Sequence, residues 1–135
     1  MKIPVRNIVI SALLTLAMGL FMTAFAQNAR AQSVINVTGT TWVGTDSDGD
    51  YYEYTFVAGG ALHFKSPSGF YTNGTWQQVD DTIYMQTYYM QTTKKYAERM
   101  GQIKGTHMEG KALNIVGRTW SWVADLKPTT PKQLV

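Results

Sequence analysis

Aromatic rings are the most abundant binding groups in this chain, which contains four tryptophans and eight tyrosines among its 135 residues. The faces of such rings stack on flat ligands and sugars, and a neighbouring guanidinium can hold an anionic group. The alternative is that the rings fill a small core, which the arginine then covers. We expect a ligand-binding set of five rings and one arginine, made of Trp42, Tyr54, Trp76, Arg118, Trp120 and Trp122.

Three aspartates alternate in the segment Asp46-Ser47-Asp48-Gly49-Asp50, a pattern that can bring carboxylates together around a calcium ion. The EF-hand pattern is not met, because its sixth position is Tyr51, where glycine is needed, and its twelfth is Val57, where glutamate is needed. A polar turn between two strands accounts for the same residues. The sequence therefore predicts a turn here and no metal site.

Groups suited to acid/base or nucleophilic catalysis are few. The spacing gives neither His63 nor His107 a partner, and the serines stand in no nucleophile motif. Glu53 and His63 could be cross-strand neighbours about a hairpin at Gly59-Gly60, but polar pairs on the outer face of a hairpin are common. The absence of cysteine excludes a thiol nucleophile, thiolate metal ligands and disulfides. We therefore expect a protein that is not an enzyme, with no catalytic residues and no cofactor.

The elements that must position these side chains are short strands. Turn signals recur about every 8 to 12 residues, which is typical of an antiparallel β-meander. In the clearest strand, 51–57, Tyr52, Tyr54 and Phe56 share one face. Including this one, the predicted strands lie around Trp42 and over 51–57, 62–65, 74–79, 82–88, 97–104, 110–116 and 118–124.

Eight strands and no helix predict an all-β fold. We expect an antiparallel eight-stranded up-and-down meander that closes into a small barrel, because closure removes both exposed edges. The interior of such a barrel is wide enough for side chains or one small ligand. An open, curled sheet and a sandwich are the alternatives.

Three motifs carry a family resemblance: Gly39-Thr40-Thr41-Trp42, Gly74-Thr75-Trp76 and Gly117-Arg118-Thr119-Trp120. They resemble the glycine and tryptophan pattern of the calycins, the superfamily of lipocalins and avidins, although two residues rather than one separate the first glycine from the first tryptophan. The resemblance implies a lipocalin-like barrel in which Trp42 packs under Arg118. The chain is also similar to small exported bacterial domains of no assigned activity with the patterns T-W-x-G-x-D, G-T-W and N-x-x-G-x-x-W.

The beginning of the chain has the features of a bacterial signal peptide. A basic start precedes an apolar run over 8–25, and small-residue cleavage patterns end at Ala26 and Ala31. An uncleaved membrane anchor is the alternative, since the run approaches the roughly 18 residues of a spanning helix. We expect a signal peptide over 1–31, cleaved after residue 26 or 31, and a protein that is periplasmic or secreted.

Cleavage also balances the charge of the chain. If Lys2, Arg6 and Arg30 are removed, nine of the twelve basic residues remain, equal to the nine acidic ones. We therefore expect no nucleic-acid partner and, after cleavage, no membrane association. The mature part is predicted to form a barrel domain over 32–126 and a flexible tail over 127–135.

The sequence favours an exported, non-enzymatic binding protein that holds a small apolar or aromatic ligand in the barrel mouth. The alternative is a protein-interaction module of the bacterial envelope, an accessory or an inhibitor, with a fully packed barrel. Such a module would use exposed rings such as Tyr71, Tyr88 and Tyr89, because tyrosine is enriched at interfaces. The sequence does not indicate the oligomeric state.

Overall fold

The structure, a computed structural model, describes residues 33–131 as an all-β barrel. Each strand pairs antiparallel with the next in sequence, and β1 pairs with β8, so that the sheet closes on itself. The predicted eight-stranded up-and-down barrel is therefore confirmed, and the open sheet and the sandwich are wrong. The strands are β1 (Thr41–Asp46), β2 (Tyr51–Val57), β3 (Ala61–Ser66), β4 (Gly69–Val79), β5 (Thr82–Tyr88), β6 (Lys95–Lys104), β7 (His107–Asn114) and β8 (Thr119–Leu126).

The two ends of the chain are described only in part. The predicted signal peptide over 1–31 lies outside the described residues, as do the last four residues of the predicted tail. Residues 127–131 form no strand. Within 33–131, no helix has the length and apolar character needed to cross a membrane.

Alternation of buried and exposed side chains explains why these segments form strands. In β2, Tyr52, Tyr54 and Phe56 are buried while the residues between them are more exposed. In β5, Ile83 and Met85 are fully buried in the same way. Because side chains alternate with a period of two, a slip of one residue would move each of these sets to the outside of the barrel. The hydrophobic pattern therefore determines the register.

Three strands start two or more residues earlier than predicted, one of them β6, which begins at Lys95 rather than at residue 97. β4 begins at Gly69 rather than at residue 74, and its register with β3 shifts between Leu62 and Phe64. β7 begins at His107 rather than at Gly110, because the chain already turns at residues 105–106.

The two ends of the barrel differ. We call the end that carries the β1–β2, β3–β4, β5–β6 and β7–β8 turns the mouth, and the opposite end the base. The segment before β1 covers part of the base, where Val37 is fully buried. Its N–H donates to Gln78 Oε1 at 3.1 Å, and Gln78 Nε2 donates to the Ile35 carbonyl at 2.8 Å. The chain that enters the barrel therefore also helps to close its base.

Large rings fill the interior between the two ends. Trp42 and Trp122 are 0% and 1% exposed, and Trp122 Nε1 donates to the Lys111 carbonyl at 3.1 Å. Gly101 makes room for this ring, because a Cβ there would lie 2.7 Å from Trp122 Cζ2 and 2.4 Å from the Glu109 carbonyl oxygen. The middle of the barrel is therefore a packed core.

Candidate functional site

The structure brings the five predicted binding rings into one core. Trp42, Tyr54 and Trp122 are almost completely buried, and Trp76 and Trp120 are partly buried against the same cluster. Tyr54 meets Trp122 edge-on, with ring centroids 6.2 Å apart. Trp76 packs on Phe56 and Trp120 on Arg99, so the five rings are part of the packed core.

Arg118 does not cover Trp42, so this implication of the calycin resemblance is wrong. Arg118 directly precedes β8 at the mouth, whereas Trp42 pairs with Leu126 at the far end of the same strand. The eight residue steps from position 118 to position 126 span about 25 Å along the strand. Arg118 Nη2 instead donates to Asp48 Oδ2 at 3.2 Å, and Trp42 Nε1 donates to Thr40 Oγ1 at 2.8 Å.

The arginine that does contact the rings is Arg99 of β6. Its side chain is completely buried. Its guanidinium carbon lies 4.6 Å from the ring centroid of Tyr52, 5.8 Å from that of Tyr54 and 5.5 Å from that of Trp120. Sequence analysis missed this residue because a strand pattern gives no reason to place a charged side chain on the inner face. The structure therefore builds a cation–π cluster around Arg99.

A buried ion pair neutralises this cation. Arg99 Nη2 lies 3.1 Å from Asp46 Oδ2, the same oxygen that accepts a hydrogen bond from Trp120 Nε1 at 2.6 Å. Arg99 Nη1 donates to Thr87 Oγ1 at 3.1 Å, whereas Asp46 Oδ1 and Arg99 Nε have no partner. Burial raises the pKa of Asp46, and the Arg99 charge and the hydrogen bonds from Trp120 and Arg99 offset this only in part. The ion pair and its hydrogen bonds to Thr87 and Trp120 join four strands, β1, β5, β6 and β8.

The three alternating aspartates form the predicted turn. The Asp46 N–H donates to the Asp50 carbonyl and the Gly49 N–H to the Asp46 carbonyl, both at 2.9 Å. Gly49 has a φ of 92°, a conformation that favours glycine. Asp46 and Asp48 point to arginines rather than to a common centre, and residues 33–131 contain no cluster of His, Cys, Asp or Glu that could hold a metal.

The hypothetical acid/base pair of Glu53 and His63 is not formed, so that suggestion is wrong. The register places Glu53 opposite Lys65, and His63 opposite Thr55. The ring of His63 instead contacts that of Phe70 edge-on at 6.0 Å on the outside of the barrel.

The second histidine, for which the spacing indicated no partner, lies in a strand and contacts an aspartate. His107 begins β7, and its Nδ1 lies 2.8 Å from Asp125 Oδ1. The side chains of His107 and Asp125 are 39% and 68% exposed. They therefore form a surface pair near the base.

A cavity of about 270 Å³ opens at the mouth of the barrel. The β1–β2 turn, the β3–β4 turn and the β5–β6 loop contribute to its walls, and Ser66, Ser68 and Thr87 supply hydroxyl groups. Among the described residues that line it, Asp50 alone carries a charge. Six aromatic rings surround the cavity: Tyr52, Phe64, Tyr71, Tyr88, Tyr89 and Tyr96.

Hydrogen bonds hold the loops around this mouth cavity in place. The Tyr71 hydroxyl donates to the Ser68 carbonyl at 3.0 Å, which fixes the β3–β4 turn against its own strand. Asn73 Nδ2 donates to the Met90 and Thr92 carbonyls at 2.8 and 2.7 Å. The β5–β6 loop, which has three of the six rings at or near its ends, is therefore tied to β4.

The inner end of the mouth cavity, which we call its floor and which Tyr52 lines, is in contact with the buried ion pair of Asp46 and Arg99. Tyr52 lines the cavity, and its ring is also stacked on that of Tyr54, with centroids 5.9 Å apart and planes 7° apart. Arg99 contacts the same Tyr52 ring and donates to Thr87, another residue of the wall. The polar network in the core thus positions two of the residues that a ligand would contact.

None of the six predicted binding residues lines the mouth cavity. Arg118 and Trp120 line a neighbouring space of about 20 Å³, which is the size of one water molecule. Tyr71, Tyr88 and Tyr89, which the sequence offered as interface residues, are instead gathered at the mouth. Their positions beside the β3–β4 and β5–β6 turns could have indicated this, because every second turn of an up-and-down meander lies at the same end of the barrel.

Tyr52 is expected to keep its proton to a higher pH than an ordinary tyrosine. Burial raises the pKa of its hydroxyl from 10.0 to about 12, and the nearby Arg99 charge offsets this only in part. The folded barrel holds this proton more tightly than the unfolded chain does. The contribution of protonated Tyr52 to the free energy of unfolding is therefore complete below about pH 10 and is lost as the pH rises toward 12. In a tyrosinate absorbance titration, Tyr52→Phe should remove signal near pH 12, and a loss near pH 10 instead would contradict this assignment.

Comparison with known proteins does not add a family assignment. No protein-family model matches the chain, and no curated protein or solved structure is significantly similar to it. The closed eight-stranded antiparallel barrel is consistent with a calycin-like fold.

Proposed function

We propose that this protein is an exported, non-enzymatic, calycin-like binding protein that holds one small aromatic or apolar ligand in the mouth of its barrel. The mouth cavity of about 270 Å³ with its six aromatic rings is the observation that carries this proposal. Ligand pockets usually measure roughly 300 to 1,000 Å³ and are lined mainly by apolar and aromatic side chains. The volume therefore favours a ligand of one or two rings.

The hydroxyl groups of the cavity support binding rather than catalysis. Ser66 Oγ and Ser68 Oγ are hydrogen-bonded to each other at 2.8 Å, and Tyr71 donates to the Ser68 carbonyl. Hydroxyls engaged in this way fix the walls, whereas a nucleophile needs a base within hydrogen-bonding distance. We infer that these groups orient a ligand without transforming it.

Export rests on the basic and apolar pattern that precedes the two cleavage motifs. The mature protein should begin at Gln27 or Gln32 and occur in the periplasm or the medium. N-terminal sequencing of the protein recovered from an exporting cell measures this directly.

Native mass spectrometry of that recovered protein tests the proposed binding. We expect a reproducible extra mass on the folded monomer. Tyr89 and Tyr96 are 52% and 37% exposed, with ring centroids 6.1 Å apart at the mouth, so replacing both with alanine should leave the fold intact. Each lost ring contact is worth about 0.5 to 1.5 kcal/mol, so the double variant should bind roughly tenfold more weakly and lose most of the extra mass.

Tyr51→Ala is the matched control for the double variant. Tyr51 is 47% exposed but does not line the mouth cavity, so its removal should leave the extra mass unchanged. A bare monomer mass for the unmodified protein, or an equal loss in the Tyr51 control, would contradict binding at the mouth.

A protein-interaction module of the envelope is the second candidate. Apolar side chains beside the mouth favour it, because Ile115 and Val116 in the β7–β8 turn are 54% and 81% exposed. Replacing both with serine should abolish association with a partner and leave the extra mass of a small ligand unchanged. The two candidates are therefore separable with one pair of variants.

A further inference from the structure

Asp50 gives the mouth cavity a negative edge. It lies at the end of the β1–β2 turn, where it lines the cavity and is exposed. Its backbone N–H interacts with Asp48 Oδ1, but its carboxylate has no hydrogen bond or ion pair within residues 33–131. A solvated carboxylate of this kind remains available to a ligand.

The two arginines near the mouth are already paired with carboxylates, and Lys94 of the β5–β6 loop, which has no ion pair among residues 33–131, does not line the cavity. Arg99 is paired with Asp46 beneath the floor, and its side chain is 0% exposed. Arg118 is paired with Asp48 outside the mouth cavity. An anionic ligand inside the cavity would meet no cationic side chain in its lining, whereas a cationic ligand would meet the free carboxylate of Asp50. The electrostatics of the cavity therefore favour a positive charge.

The rings favour a cation for an independent reason. The face of an aromatic ring carries partial negative charge and attracts a cation within about 6 Å of its centroid. Several rings around one cation, with a carboxylate at the edge, form a cage that suits alkylated ammonium groups. Five tyrosines and Phe64 line the mouth cavity together with Asp50, and so supply the groups that such a cage needs.

We propose that the ligand of the mouth cavity is a small organic cation, an alkylated or aromatic ammonium compound, whose apolar groups lie among the rings and whose charge faces Asp50. This inference rests on the proposed binding function and names the chemical class of the ligand. It reverses the expectation that an arginine would hold an anionic group.

Two probes of the same shape test the charge preference directly. Phenyltrimethylammonium and its uncharged carbon isostere tert-butylbenzene each give a strong methyl proton signal, from which ligand-observed NMR yields a dissociation constant. We expect the cation to bind the purified full-length protein about tenfold more tightly than the isostere, with its methyl signal shifted upfield by the surrounding rings.

Asp50→Asn should remove most of this preference, reducing it to roughly twofold, because the variant keeps the size of the side chain and loses its charge. Asp80→Asn is the matched control, since Asp80 is an exposed turn residue at the base, and it should leave the preference unchanged. Tyr51→Ala should likewise have no effect on the affinity for the cation.

The outcomes separate this inference from the proposed function. Equal affinities for the cation and the isostere, with both lowered when Tyr89 and Tyr96 are replaced by alanine, would overturn the cationic ligand and leave the binding function standing. An undiminished preference of about tenfold in Asp50→Asn would overturn the role of Asp50. Failure of both probes to bind would overturn the cationic ligand, and together with a bare monomer mass it would also reject the binding function.

Discussion

Asp46→Ala is expected to lower the free energy of unfolding by about 3 to 5 kcal/mol, which is the usual cost of removing one partner from a buried ion pair. The variant leaves the Arg99 guanidinium charged in an interior where its side chain is 0% exposed. It also removes the acceptor of the Trp120 Nε1 hydrogen bond. Urea unfolding followed by tryptophan fluorescence measures the loss as a lower midpoint at an unchanged slope.

The exposed pair of Asp48 and Arg118 is the matched control. Their side chains are 36% and 62% exposed, and exposed ion pairs contribute about 0 to 1 kcal/mol. Asp48→Ala should therefore cost much less than Asp46→Ala. An equal loss in the free energy of unfolding for Asp46→Ala and Asp48→Ala would contradict a buried Arg99 charge that is left without its partner.

A double replacement distinguishes the net contribution of the pair from the penalty of breaking it. Asp46→Leu combined with Arg99→Met removes both charges, and apolar replacements of buried pairs are often neutral or stabilising. We expect the double variant to recover most of the stability that Asp46→Ala loses. Its ligand affinity should still fall, because Arg99 also contacts Tyr52 and Thr87 in the wall of the mouth cavity.

The meander was predictable because each strand and turn is indicated by residues that are close together in the sequence. Alternation in β2 shows which face is buried, and Gly59 and Gly60, with φ values of 88° and 89°, mark the turn that follows. Closure follows from a general rule, since eight strands of this kind leave no exposed edge once β1 pairs with β8. The largest errors lay at the beginnings of β4 and β7, which start five and three residues earlier than predicted.

The site was less predictable because its contacts join distant parts of the chain. Arg118 lies on the same side of the chain as Trp120 in a strand pattern, which made it the obvious arginine. The arginine that contacts the rings is Arg99 instead, and its charge is paired with Asp46, which lies 53 positions away in the chain. A sequence read strand by strand does not reveal which arginine has a buried carboxylate opposite it.

Trp122→Ala is expected to lower the free energy of unfolding by about 3 to 5 kcal/mol, the usual cost of removing a buried aromatic side chain. The ring is 1% exposed, packs against Tyr54 and occupies the space that Gly101 leaves free. Backbone atoms limit how far the interior can collapse around the missing ring, so most of the cost of the cavity should remain. Chemical denaturation measures it, and Trp122→Phe should retain a large part of the stability.

Phe70→Ala provides the control for loss of an aromatic ring. Phe70 is 62% exposed on the outside of the barrel, so its replacement should change stability by about 0.5 kcal/mol or less.

The measurements on Trp122→Ala also decide between the two roles that the sequence left open for Trp122, a core residue or a ligand contact. A core residue loses stability and leaves the affinity of the folded protein for its ligand unchanged, because the mouth cavity is lined by other rings. A ligand contact would show the reverse, a large loss of affinity with little change in the unfolding midpoint.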